Sequence, residues 1–168
     1  MNHTQAAPQS LIIGVFLVLT AFVVAVAPLP IMYRSLGIVI ASYLAFGVAG
    51  LPYAFFAAIV APPIGLISGD TDWLIMLPIM LSSNLLALLG LELTWRYPAI
   101  LVSPILLIIP QLFVMQASKQ QLFRVDLPWE VDSGTWIALH AGVATVGVLG
   151  AIIFHGWRKK ARKYQTKI

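Results

Sequence analysis

The sequence predicts an all-α fold, a polytopic membrane helical bundle of about six transmembrane helices in which helices 2 and 3 are short. Of the 168 residues, 60% are hydrophobic and only 10% are charged, whereas an ordinary soluble domain has about 25% charged residues. The charges are also bunched, so that residues 1–33, 35–69, 73–91, 97–118 and 133–157 carry none. These apolar stretches are long enough for helices of the ~17–25 residues that cross a bilayer. A soluble enzyme, a disordered tail and, because cysteine is absent, a disulfide-stapled secreted domain are excluded.

Helix 1 is predicted over about Ser10–Ala27, with Ser10 as its N-cap and with prolines directly after it. The segment Ala25-Val26-Ala27 resembles a signal-peptide cleavage site. However, no Lys or Arg precedes the segment, its apolar core is long for a signal peptide, and Pro28 would follow the cut. We therefore expect helix 1 to remain in the protein as a membrane span.

Helices 2 and 3 are separated by the turn signal Gly50-Leu51-Pro52. Helix 2 is predicted over about Ser35–Ala49, with a start as early as Ile31, and helix 3 over about Tyr53–Ile67. Pro62-Pro63 is expected to kink helix 3. Because both helices are short, the pair could instead be a re-entrant hairpin buried among the other helices.

Helices 4, 5 and 6 are predicted over about Trp73–Leu93, Pro98–Ala117 and Thr135–Trp157. The whole chain is one transmembrane domain. It consists of an N-terminal tail over residues 1–9, the bundle over residues 10–157 and a basic tail over residues 158–168.

The distribution of Lys and Arg predicts the orientation. Six of the ten basic residues lie in the last eleven positions, which is typical of the cytoplasmic flank of a span. With six spans, seven basic residues fall on the side of the termini and three on the other side. We expect both termini to be cytoplasmic in a plasma (inner) membrane. The tail favours the lipid bilayer as a partner, and no nucleic acid is expected.

Small residues recur every fourth position along helix 2, which allows two helix backbones to approach closely in lipid. Either these faces pack inside the bundle or they dock another membrane subunit. The residues are Gly37, Ala41, Ala45 and Ala49 of helix 2, Ala21 and Ala25 of helix 1, and Ala138, Gly142 and Gly150 of helix 6.

Polar residues within the predicted spans should face the bundle interior, because polar groups in lipid need partners. They form either hydrogen bonds between helices or a polar pocket for a solute. They are Ser82, Ser83, Asn84, Ser103, Gln111, Gln116, His140 and Thr145.

Catalysis receives little support from the residues. His140 and His155 are fifteen positions apart, about 22 Å along a helix, so they cannot share a metal or a proton. No metalloprotease, nucleophile-elbow or phosphate-loop motif occurs. We expect no enzyme, no metal and no cofactor.

Aromatic and acidic residues gather in the predicted outer connections. Tyr33 and Arg34 fall between helices 1 and 2, Asp72 and Trp73 between helices 3 and 4, and Trp129 between helices 5 and 6. Together with the polar positions below them, these residues could bind a neutral or cationic small molecule through cation–π contacts. The alternative is an interfacial aromatic belt. The candidate ligand-binding residues are Asn84, Gln111, His140, Trp129, Asp72 and Trp73.

The layout of short helices 2 and 3, a kinked third helix ending in the sequence of residues 65–70, GLISGD, and a basic tail resembles the S-component fold. S-components are the substrate-capture subunits of energy-coupling-factor vitamin transporters, and Ala21 and Ala25 match their Ala-x-x-x-Ala on helix 1. The rod-shape protein MreD is similar in the same way, and the stretch from Tyr33-Arg34 to Gly69 is spaced much as in MreD proteins.

The resemblance implies two functions. The first is a non-enzymatic small-molecule-binding membrane subunit of an uptake transporter, and the alternative is an MreD-like membrane scaffold in cell-shape or cell-envelope assembly. In both, other membrane subunits are partners. A closed cavity containing Asn84, Gln111 and His140 would favour uptake, whereas a filled core would favour a scaffold.

Overall fold

The computed structural model describes residues 8–95, 102–120, 122, 127–128 and 131–165, without the side chains of Pro8 and of residues 158–165. All regular structure in these residues is helical, and six helices are long and apolar enough to cross a membrane, which confirms the predicted fold class. The helices are α1 (Pro8–Val26), α2 (Ile31–Ala49), α3 (Leu51–Ser68), α4 (Thr71–Thr94), α5 (Val102–Lys119) and α6 (Ser133–Gln165).

The start of α2 corrects the predicted position of Tyr33 and Arg34. Pro30 caps the helix with an extended backbone, and the helix begins at Ile31. Tyr33 and Arg34 therefore lie in the first turn of α2 and not in a connection between helices. With 19 residues, α2 is about 28 Å long, which is close to the thickness of the hydrocarbon core.

The helical winding of α3 changes along its length around Pro62-Pro63. It is α-helical over Leu51–Phe55, π-helical over Phe56–Val60, α-helical again over Ala61–Ile64 and a 3-10 helix over Gly65–Ser68. Proline cannot donate the backbone hydrogen bond that a regular helix requires. The wider π turn directly before the prolines keeps the chain helical while leaving carbonyl groups for side chains of other helices.

Helix α2 is the central helix of the bundle, because 13 of its 19 residues are buried, whereas only 22% of the α1 span is buried. The close contact between α2 and α6 depends on Gly47 of α2, where an added Cβ would lie 2.5 Å from the Cα of Ala151. Ala138 and Gly142 do not pack inside the bundle, because both are exposed on α6. The small residues of α6 lie on more than one of its faces, so their spacing alone does not identify the packed one.

The small-residue face of α2 lies inside the bundle, against α1 and α3. Ala41 forms a buried cluster with Ala21 of α1 and with Ala57 and Ala61 of α3, and Ala45 is fully buried as well. The ends of the face contact α1 too. An added Cβ on Gly37 would meet Val24, and one on Gly14 would meet Ala49.

Candidate functional site

Asn84 stabilises the irregular part of α3. Its amide Nδ2 donates a hydrogen bond of 2.8 Å to the carbonyl oxygen of Ala58. The residues four and five positions after Ala58 are Pro62 and Pro63, so neither the α-helical nor the π-helical donor exists for this carbonyl. Asn84, which lies on the neighbouring helix α4, supplies the donor that α3 lacks.

A second group of polar side chains joins α2, α5 and α6. The Nδ1 atom of His140 lies 2.9 Å from the carbonyl oxygen of Trp136, and its Nε2 atom lies 2.9 Å from the hydroxyl of Ser35. Because a carbonyl only accepts, Nδ1 of the neutral imidazole carries the proton and Nε2 is left as an acceptor. The single hydroxyl proton of Ser35 is shared between this Nε2 and the carbonyl oxygen of Met32, which lies 2.8 Å from the Ser35 oxygen. The indole of Trp136 stacks on His140 and donates to Oε1 of Gln111 at 3.2 Å.

Three of the six candidate ligand-binding residues meet at one internal cavity. Asn84, Gln111 and His140 line it together with Ser35 and Ser83, and its apolar lining comes from α2, α3 and α4. Its volume is about 10 Å³, which is room for about one water molecule.

The other three candidates lie elsewhere. Asp72 is exposed in the first turn of α4, and Trp73 is completely buried. Trp129 lies outside the described residues. Asp72 and Trp73 therefore do not line the cavity that contains Asn84, Gln111 and His140. An open groove of about 310 Å³ does lie between the end of α5 and the start of α6, but Asn84, Gln111 and His140 do not line it.

The polar residues of the spans divide into two groups. Ser83, Asn84, Ser103, Gln111 and His140 are buried, as predicted, whereas Ser82 and Gln116 are exposed and Thr145 is half-buried. Ser82 and Thr145 satisfy their hydroxyls by donating to carbonyls of their own helices. This local bond removes the need for an interior position.

Arg34 is the largest departure from the sequence-based expectation. Only 2% of it is exposed. Its Nε and Nη2 atoms both donate to the carbonyl of Ala25 at the end of α1, and Nη2 also lies 3.4 Å from the carbonyl of Gly65 at the end of α3. Its Nη1 atom pairs with Oδ2 of Asp70 at 2.6 Å. Arg34 therefore binds three other segments of the chain.

Arg34 is surrounded by groups that carry negative charge or partial negative charge. The last carbonyls of a helix lack helical donors and carry the negative end of its dipole, and two helices end at Arg34. Asp70 adds a full charge through Oδ2 and uses Oδ1 to cap α4, accepting from the backbone N–H groups of Asp72 and Trp73. This arrangement explains how a cation can be buried here.

The ring of Trp73 makes a cation–π contact, but with Arg34 of the same chain and not with an external ligand. The guanidinium carbon of Arg34 lies 3.8 Å from the ring centroid, and the indole N–H donates to the carbonyl of Pro62 at 2.8 Å. Gly65 permits this packing, since an added Cβ would lie 2.4 Å from the indole nitrogen. The ring is therefore closed to an external ligand. One sequence signal could have revealed the pair: Arg34 and Asp70 are the only charged residues among the first 71.

A scan against models of protein families found no match, and no curated protein or solved structure is detectably similar to the chain. The resemblance to S-components and to MreD therefore rests on the sequence features given above.

Replacing Asn84 by leucine is expected to leave membrane insertion intact and to lower the free energy of unfolding by about 1–2 kcal/mol. An apolar residue inserts at least as readily as an amide, but the carbonyl of Ala58 would be left without a donor. Unfolding of the purified protein by SDS in mixed micelles measures the change. Ser82→Ala is the control, because Ser82 bonds only within its own helix. Equal stability of the two variants would contradict this role of Asn84.

Proposed function

We propose that this chain is a non-enzymatic, multi-pass membrane protein that serves as a scaffold subunit, comparable to MreD-like proteins in cell-shape or cell-envelope assembly. One observation carries the proposal. Asn84, Gln111 and His140 do line one cavity, as uptake would require, but it measures only about 10 Å³, so the core is nearly filled. All three side chains are also hydrogen-bonded to the protein itself. A solute of several non-hydrogen atoms does not fit, and ligand pockets ordinarily measure about 300–1,000 Å³.

The C-terminal end of α6 supplies a surface for a partner. The apolar span ends at Trp157, while the helix continues to Gln165, about 12 Å further along its axis. This extension contains five basic residues, Arg158, Lys159, Lys160, Arg162 and Lys163. A short basic helix at the membrane surface suits an acidic patch on another subunit, with the bilayer as a second attractive surface.

The second candidate function is small-molecule capture for an uptake transporter of the S-component type. The observation that favours it is the convergence of five polar residues from four helices on one internal cavity. Capture would require the helices around the cavity to separate, so that its volume rises to that of a solute.

Native mass spectrometry of the full chain in mild detergent separates the two functions. A scaffold is expected to appear as the chain with bound lipid only. A non-lipid molecule retained at one copy per chain, and lost in Asn84→Leu, would overturn the scaffold proposal in favour of capture.

A photoreactive amino acid at position 163 tests the partner surface in membranes. A scaffold should give one discrete cross-linked product, which disappears when the other four basic residues of the extension become glutamine. The same label at Phe113, which is exposed on α5, is the control for random collisions in the bilayer. The same products from both positions would contradict a partner at the basic extension.

Both termini are expected to lie in the cytoplasm. If all six candidate helices cross the membrane, both termini lie on one side, and seven of the ten Lys and Arg residues fall on that side. Reporters that are active on only one side of the membrane, fused to each terminus in turn, give the answer. Activity of the two fusions on opposite sides would contradict the six-span topology.

A further inference from the structure

Ser83 carries a buried hydroxyl that no group of the described protein satisfies. The residue is 1% exposed, and its Oγ atom has no hydrogen-bond partner. A serine within a helix ordinarily donates to a carbonyl one turn earlier, as Ser82 on the same helix and Thr145 on α6 do. The hydroxyl of Ser83 makes no such bond.

The cavity beside Ser83 has room for a hydrogen-bond partner of this hydroxyl. Ser83, Asn84, Ser35, Gln111 and His140 all line it. Asn84 uses its Nδ2 atom on Ala58, and its amide oxygen accepts no hydrogen bond from the described residues. The unpaired hydroxyl of Ser83 and the amide of Asn84, at adjacent positions of α4, thus belong to residues that line the same small internal space.

The chemistry of the lining defines the ligand. A volume of about 10 Å³ admits one non-hydrogen atom, and a buried water needs two to four polar partners. The lining contains no Asp, Glu, Lys or Arg, so the large cost of a bare cation or anion inside a membrane bundle would not be offset. The ligand is therefore a neutral molecule that both donates and accepts hydrogen bonds.

We propose that this cavity is a binding site for one water molecule, which hydrogen-bonds to the hydroxyl of Ser83 and to the amide oxygen of Asn84. Through this water, the hydroxyl of Ser83 is joined to the amide of Asn84, whose Nδ2 atom binds the carbonyl of Ala58 on α3. The site is independent of whether the chain is a scaffold or captures a solute.

The variant Ser83→Ala tests the site through the direction in which the melting temperature changes. Without a water, alanine removes an unsatisfied buried hydroxyl and the melting temperature in detergent should rise. With the water, alanine removes one of its partners, and we expect the melting temperature to fall by about 2–4 °C. Ser82→Ala, the control, should leave it unchanged. A rise or no change in Ser83→Ala overturns the proposal.

Radiolytic hydroxyl-radical labelling in H₂¹⁸O detects the water directly. Met80 lines the cavity, whereas Met76, one turn earlier on α4, is buried without lining it. We expect ¹⁸O-bearing oxidation at Met80 and none at Met76. Ser83→Val should fill the space and abolish labelling at Met80. Labelling that persists in Ser83→Val, or that is absent from both methionines in the unmodified protein, would overturn the proposal.

Discussion

Replacing Arg34 by methionine is expected to lower the free energy of unfolding by about 3 kcal/mol, the largest effect of any single substitution considered. Methionine retains the length of the side chain but removes the ion pair with Asp70, both hydrogen bonds to Ala25 and the contact with Trp73. Removing one partner of a buried ion pair ordinarily costs about 3–5 kcal/mol. The lower end applies because the side chain of Asp70 is 31% exposed and can regain part of its hydration.

Unfolding by SDS in mixed micelles measures this loss, and the neighbouring residue offers a matched control. Tyr33→Met changes a side chain that is 56% exposed and should alter the free energy by less than about 0.5 kcal/mol. A double-mutant cycle with Asp70→Asn isolates the pair, since asparagine retains the N-cap of α4. Equal stability of Arg34→Met and Tyr33→Met would show that Arg34 does not hold the helix ends together.

The double substitution of Ala41 and Ala45 by leucine is expected to lower the free energy of unfolding by about 2 kcal/mol or more. Each leucine adds three carbon atoms to a face that is already buried against α1 and α3. Overpacking of a filled site typically costs about 1–3 kcal/mol, and the two sites are close enough to interact. Thermal unfolding of the isolated protein in detergent should show the loss without any partner present.

The matched control for this variant is Ala138→Leu, which makes the same chemical change at an exposed position of α6. It should leave the melting temperature unchanged. If the Ala41 and Ala45 variant were as stable as the unmodified protein but failed to assemble with other subunits, the face would be a docking surface. The internal packing described for it would then be contradicted.

The two proposed functions make opposite demands on the polar core. A scaffold requires the bundle to remain closed, and the hydrogen bonds of Asn84 and His140 hold α3 to α4 and α2 to α6. Capture requires some of these bonds to break when a solute enters. Substitutions at Asn84 therefore affect stability under both functions, whereas only capture predicts that they alter the binding of a small molecule.

The sequence alone determined the number of helices long and apolar enough to cross a membrane and their approximate positions. Each of these depends on local properties: the length of an apolar run, the prolines and glycines at its ends, and the exclusion of charge from lipid. The irregular winding of α3 also follows from the local sequence, because Pro62 and Pro63 remove two backbone donors whatever residues surround them. The convergence of Asn84, Gln111 and His140 was also anticipated, since polar groups within spans seek one another.

Only the tertiary structure decided what Arg34 and Trp73 do and which face of α6 is packed. In the sequence, an arginine near the start of a span resembles an interfacial charge, and a tryptophan beside acidic residues resembles a ligand cage. Arg34 is buried because the ends of α1 and α3 and the carboxylate of Asp70, 36 positions away, meet around it. That environment arises from the arrangement of four helices and belongs to none of them separately. The energy of a buried charge depends on all of its neighbours together, which a local pattern of residues does not contain.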